Sequence, residues 1–150
     1  MRKTQSGVTI IELIIAMALV AMLASITIPA FSGYVARARD NRAIGDIGRI
    51  SVELYRWRTA NGGIFPDDLA DTNIDAPLDP WGNEYQYVNA ETAGAGALRT
   101  NADGNEANTD FDLFSNGADG ASSTSLTADD AADDIVRTNN GAFIGKASDI

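Results

Sequence analysis

The chain has 150 residues, 45% of them hydrophobic, which is enough for one packed domain and an apolar anchor. It contains no cysteine and no histidine, so disulfides, thiol nucleophiles, imidazole bases and Cys or His zinc sites are excluded. Eleven basic residues against 21 acidic ones give a net charge of −10, which argues against a nucleic-acid partner because its phosphates would be repelled.

The apolar segment comes first. Residues 13–31 form 19 positions without a formal charge, and Val8 to Ile11 extend the stretch to about 24, interrupted only by Glu12. A bilayer core of ~30 Å takes about 20 helical residues. Arg2 and Lys3 precede the run, so the positive-inside rule predicts a cytoplasmic N-terminus and an exported acidic remainder. An ordinary signal peptide has a shorter apolar stretch of roughly 7–15 residues followed by a small-residue cleavage site. Glu12 has no place in one. A carboxylate inside an apolar run costs roughly 2.5–3.5 kcal/mol on insertion scales, so it needs a partner. Cleavage after Gly7 would create an amine on Val8, four residues before Glu12 and on the same helical face. That amine would neutralise Glu12 of its own chain or of a neighbouring copy.

Ser6-Gly7-Val8-Thr9-Ile10-Ile11-Glu12-Leu13 closely resembles the processing signal of type IV pilins and type II secretion pseudopilins. The resemblance implies a leader of residues 1–7, removed by a membrane-embedded prepilin peptidase that cuts after Gly7 and methylates Val8. It implies that Glu12 supports assembly through the neighbour's N-terminus. The usual first mature residue in that family is Phe, and Val8 departs from it. Pro29 matches the proline that the family carries 22 residues into the mature chain. A proline there removes one helical N–H and predicts a kink near residues 25–29, with Gly33 a second weak point.

A helical pattern continues from Tyr34 to about Ala60. Ile47, Ile50, Leu54 and Trp57 form an apolar stripe, which Ile44, Val52 and Tyr55 widen. Gly45 and Gly48 are unfavourable in a helix, by about 1 kcal/mol each, and suit close packing against a sheet. Asn61-Gly62-Gly63 is a stop signal. The neck between Arg37 and Arg58 carries six arginines against Asp40, Asp46 and Glu53, a net of +3. From residue 60 onward three basic residues face 17 acidic ones, a net of −14. This contrast predicts either head-to-neck attraction between copies or simply a soluble exported head.

The head reads as a small sheet domain. Residues 64–69 open a loop with a short helical turn, and Asp79-Pro80-Trp81-Gly82-Asn83 is a turn cluster. Residues 84–88 and 111–115 read as strands, and 97–100 as a weaker one. Beyond Ile135 no clear element is visible except Ala142-Phe143-Ile144. Asp119 with one or two of Asp129, Asp130, Asp133 and Asp134 forms an acidic set of the type Ca²⁺ takes, although such loops are usually just solvated and neither EF-hand register fits. Asp79-Pro80-Trp81-Gly82-Asn83-Glu84-Tyr85-Gln86-Tyr87 and Asp112-Leu113-Phe114-Ser115-Asn116-Gly117-Ala118-Asp119-Gly120 are similar to two segments of the major pseudopilins. That resemblance implies one Ca²⁺, held by Asp119, the carbonyl of Asn116, and Asp133 or Asp134. The loop over residues 120–132 is longer than the family's usual one, with a duplicated Ala-Asp-Asp, so the binding pair stays open.

The expected architecture is α+β: a long N-terminal helix packed on a small antiparallel sheet, with a C-terminal calcium-binding loop. The expected divisions are leader 1–7, filament-core helix 8–31, amphipathic helix 32–61 and periplasmic head 62–150. The implied role is that of a structural subunit, not an enzyme, since the acids cluster in Gly/Ser/Ala loops with no pair flanking an aromatic cleft. Copies would polymerise from the inner membrane into a periplasmic filament that drives protein export. The implied partners are copies of the chain itself, the prepilin peptidase, an inner-membrane assembly platform and minor pseudopilins. Two other readings are a surface type IV pilin for adhesion, motility or DNA uptake and a monomeric anchored calcium- or sugar-binding module.

Overall fold

The computed structural model describes residues 7–94 and 96–150. The leader residues Arg2, Lys3 and Ser6 therefore lie outside the described residues. The chain divides into two compact units, Met1–Arg37 and Ala38–Ile150, and one helix, α1 (Ile10–Ala60), contributes to both.

In the first unit every described side chain from Val8 to Ile15 is exposed, as expected of a stretch with no sheet to cover it. The helical backbone continues through Pro29 and Gly33. Ser25 and Thr27 turn their hydroxyls back onto the carbonyls of Met22 and Leu23, at 2.8 and 2.9 Å. Two polar side chains are thereby satisfied inside the apolar stretch.

In the second unit the helix and a four-stranded sheet share one core. The strands are β1 (Gln86–Asn89), β2 (Phe111–Ser115), β3 (Ile135–Thr138) and β4 (Phe143–Lys146), in spatial order β1-β2-β3-β4 with every pair antiparallel. Ala43, Ile47, Ile50 and Leu54 are fully buried, spaced 4, 3 and 4, the period that brings one face of a helix onto a sheet. They meet Phe65, Tyr85, Phe111, Leu113 and Ile135. Burying a Leu, Ile or Phe side chain contributes about 1.5–3 kcal/mol. Val52 does not widen the stripe: it is half exposed on another face. Gly48 does serve close packing, because a Cβ there would lie 3.8 Å from Ile144 of β4, whereas Gly45 has nothing within 4 Å. The helix ends as the two glycines dictate, with Gly62 and Gly63 at positive φ and the Gly63 N–H on the Arg58 carbonyl at 2.8 Å.

Strand β2 lies where the alternating residues place it, β1 starts two residues later than expected and runs to Asn89, and a short 3₁₀ turn at Leu69–Asp71 follows the Asp68 cap. Residues 97–100 form no strand of their own: Thr100 makes only isolated bridges to Glu106 and Ser125. The larger difference is the tail, which supplies two of the four strands. The β3–β4 hairpin turns through Asn139, Asn140 and Gly141, all at positive φ, which asparagine tolerates better than most residues. Ile135 packs into the helix-facing core, while Val136 joins a second cluster with Ala107, Leu126 and Ala147.

Candidate functional site

At the N-terminus Thr9 and Glu12 hold each other. The Thr9 N–H and hydroxyl both donate to Glu12 Oε2, at 2.8 and 2.7 Å, and the Glu12 N–H donates to Thr9 Oγ1 at 3.3 Å. This is a capping box, which satisfies otherwise unpaired helix N-terminal donors with a carboxylate. Thr9 is a residue the sequence reading missed, although Thr-x-x-Glu before an apolar run is its signature. Gly7 and Val8 just ahead of it are exposed, so the bond between them is accessible. Pro29 lies within the helical backbone of α1.

The two head segments that resemble major pseudopilins meet in space. Asp79 closes its turn by accepting the N–H groups of Trp81 and Asn83, at 3.0 and 2.8 Å. Its other oxygen accepts the Ser115 hydroxyl at 2.5 Å, at the end of β2. Both side chains are buried. The same Ser115 Oγ accepts the Gly117 N–H at 3.2 Å, so the turn at 79–83 sets the start of the loop at 116–120.

Onto that loop comes Asp133. Its Oδ2 accepts the N–H groups of Ala118 and Asp119, at 2.7 and 3.1 Å. Gly117 makes the approach possible: it has φ +65°, and a Cβ there would stand 2.5 Å from the Asp133 carbonyl and 2.7 Å from its carboxyl group. Gly117→Ala should therefore lower head stability by roughly 1–3 kcal/mol. Thermal unfolding of the mature chain in detergent checks this, and an unchanged melt would contradict the close seat of Asp133.

Asp119 is exposed, and its Oδ1 accepts the Ala121 N–H at 2.8 Å. Asp134 points elsewhere: it is fully buried and paired with Arg99 at 2.5 Å. Asp129 and Asp130 are exposed in the 3₁₀ turn Asp129–Ala131. Among the described residues no three carboxylates converge as a metal cluster. Asp119, Asp133 and the Asn116 carbonyl remain as an oxygen-only set, about half of the six to eight donors Ca²⁺ takes, with water able to supply the rest. The Asn116 side-chain oxygen is also buried without a hydrogen-bond partner.

A second polar group fastens the helix to the sheet. Arg137, buried in β3, donates from Nη1 and Nη2 to the two oxygens of Asp110, at 2.9 and 2.6 Å. Nη1 also reaches the Phe111 carbonyl at 2.9 Å, and the guanidinium lies 4.0 Å from the centre of the Phe111 ring. Tyr55 of α1 donates to Asp110 Oδ2 at 2.6 Å. Burial pushes the Asp110 carboxyl up, but hydrogen bonds from Arg137, Tyr55 and the Phe111 N–H outweigh it and hold the group below its ordinary value.

A family model described as the prokaryotic N-terminal methylation motif matches residues 2–28. The type II secretion system core protein G of Pseudomonas aeruginosa is 28% identical over 142 residues, covering 79% of this chain and 87% of that protein. Its Escherichia coli counterpart is 28% identical over 140 residues, covering 80% and 86%. Fimbrial protein Q of Moraxella bovis is 30% identical over 119 residues, covering 71% and 74%. No solved structure matches the chain significantly. The chain belongs to the type IV pilin-like family, and it is homologous to the core protein G subunits of type II secretion.

Proposed function

We infer that the chain is a structural subunit of a type II secretion pseudopilus. The observation that carries this reading is the apolar surface of α1. Among the described residues from Val8 to Phe31, 13 large apolar side chains are between 53% and 82% exposed. In water such a surface is untenable, and it must be covered by lipid or by copies of itself. Before assembly the helix crosses the inner membrane with its N-terminus in the cytoplasm. The prepilin peptidase cuts after Gly7 and methylates Val8. Subunits then leave the bilayer at the assembly platform, with minor pseudopilins as partners, and stack with helices central and acidic heads outward. Growth of the periplasmic filament pushes exported proteins across the outer membrane. The protein contributes shape and cohesion, not catalysis.

Mass spectrometry of the protein taken from the cell envelope tests the processing step: loss of residues 1–7 and one added methyl are expected. Full-length, unmethylated protein inside assembled filaments would overturn it. The fimbrial relative favours a second reading, a surface pilus for adhesion, motility or DNA uptake. Deleting the gene separates the two, because export of secreted proteins is lost in the first case and surface fibres in the second.

The proposal extends to Ca²⁺ on the loop that follows β2. Asp119, Asp133 and the Asn116 carbonyl are the residues that would hold it. Bound there, the ion would supply the positive charge that two neighbouring carboxylates lack. Binding to the folded state alone stabilises it by mass action, by about 2.7 kcal/mol at a hundredfold excess over Kd. Excess chelator is therefore expected to lower the Tm of the mature chain in detergent, and an unchanged melt would remove calcium from the account.

A further inference from the structure

We propose that Arg99 is the resident cation of the loop over residues 120–134: its guanidinium takes Asp134, closes the loop without a metal, and leaves Asp133 as the aspartate of the tandem pair that is open to Ca²⁺. Only this last clause rests on the calcium reading.

The pair joins residues 35 apart in sequence. Arg99 is 4% exposed and Asp134 is 0% exposed. Asp134 Oδ2 accepts from two sides, from Arg99 Nη2 at 2.5 Å and from the Ser122 hydroxyl at 2.6 Å. Ser122 belongs to the loop being closed. The guanidinium also sits 4.2 Å from the centre of the Phe114 ring on β2, where a cation is attracted to the aromatic face. Next to it the backbone repeats the connection. The Thr100 N–H donates to the Thr124 carbonyl at 2.8 Å, and the Leu126 N–H donates to the Thr100 carbonyl at 2.9 Å. Residues 99 and 100 thus grip the loop with side chain and main chain together.

The physical requirement is plain. A fully buried carboxylate needs a compensating charge. Arg99 Nε and Nη1 and Asp134 Oδ1 are buried without a hydrogen-bond partner among the described residues, so the pair is joined through Nη2 and Oδ2, while the second buried carboxylate near Arg99, Asp112, takes its main-chain N–H. Arginine remains protonated at every relevant pH and cannot be chelated. The closure is therefore permanent, whatever the calcium level. The tandem aspartates divide the work: Asp134 faces inward to arginine, and Asp133 faces the loop amides of Ala118 and Asp119.

A double-mutant cycle on the full mature chain in detergent tests this, with Tm read by near-ultraviolet circular dichroism both with Ca²⁺ and with excess chelator. Arg99→Gln and Asp134→Asn are each expected to lower Tm by about 10 °C, since each strands a buried charge. The double variant should lose clearly less than the sum, and the coupling should be the same with and without chelator. Arg99→Lys, which keeps the charge but not the fork or the stacking, should fall between. If Arg99→Gln does not fold, the coupling is read from Arg99→Lys against Asp134→Asn. Additive losses would overturn the proposal. So would a loss in Asp134→Asn that disappears in chelator, because Asp134 would then be a metal ligand. A wild-type Tm indifferent to Ca²⁺ would defeat the calcium reading alone, since the coupling is measured without it.

Discussion

Glu12→Ala is expected to abolish filament assembly while leaving the subunit in the membrane. The two effects separate because of their energetic signs. A carboxylate in an apolar span opposes insertion by roughly 2.5–3.5 kcal/mol, so its removal makes insertion easier, and failure to assemble cannot be blamed on failure to insert. In the isolated subunit Oε2 is occupied by the Thr9 N–H and hydroxyl. That internal arrangement lets the acid exist before a neighbour's amine is present. Chemical cross-linking and sedimentation of envelope fractions give the measurement: a monomer band in the membrane pellet with no ladder above it. A normal ladder from Glu12→Ala would end the role of Glu12 in assembly. Thr9→Ala should act in the same direction more mildly, as loss of a helix cap worth about 1 kcal/mol.

Arg137→Ala is expected to be the most damaging single change in the head. It removes a forked ion pair from the centre of the sheet and leaves Asp110 without its cation, a loss of roughly 3–5 kcal/mol for a buried pair. It also removes the group stacked on Phe111 and the Nη2 donor to the Tyr55 hydroxyl, at 3.1 Å. Urea unfolding of the mature chain in detergent would show it as a large drop in midpoint, and a change under about 1 kcal/mol would deny the network its structural role. The same pair predicts a response to acid. Because the folded Asp110 value is depressed, its contribution is complete above the unfolded value near 3.9 and is lost as pH falls through the folded value. Asp112 and Asp134 shift the other way, raised first of all by burial, so total stability mixes opposing slopes. The difference between wild type and Asp110→Asn isolates the one of interest. It should be constant near neutrality and shrink as pH drops below about 4.

How far these features were legible in the sequence depends on whether their cause is local. Ile47, Ile50 and Leu54 repeat at the helical period, and the aromatic alternation around Tyr85 and Tyr87 marks the region of β1, so both were readable. Strand β3 was not. All four of its residues are buried, among them Arg137 and Thr138, and a buried arginine breaks the apolar pattern that announces a core strand. What permits it is Asp110, 27 positions upstream, a contact no window along the chain can see. The choice between Asp133 and Asp134 failed to resolve for the same reason, because it turns on Arg99. The meeting of Asp79 with Ser115 was equally invisible as geometry, although the motifs that carry them were the clearest in the head. Only the Thr9–Glu12 box was local, spelled out, and overlooked.

Because β3 and β4 follow the first apolar stretch by more than a hundred residues, the head cannot complete its sheet until long after that stretch has left the ribosome. Ile135 and Ile144, which help seal the helix-facing core, are still inside or near the ribosome when the first apolar stretch has long emerged. Synthesis therefore imposes an order: the greasy segment finds its surroundings first, and the acidic cap condenses afterwards.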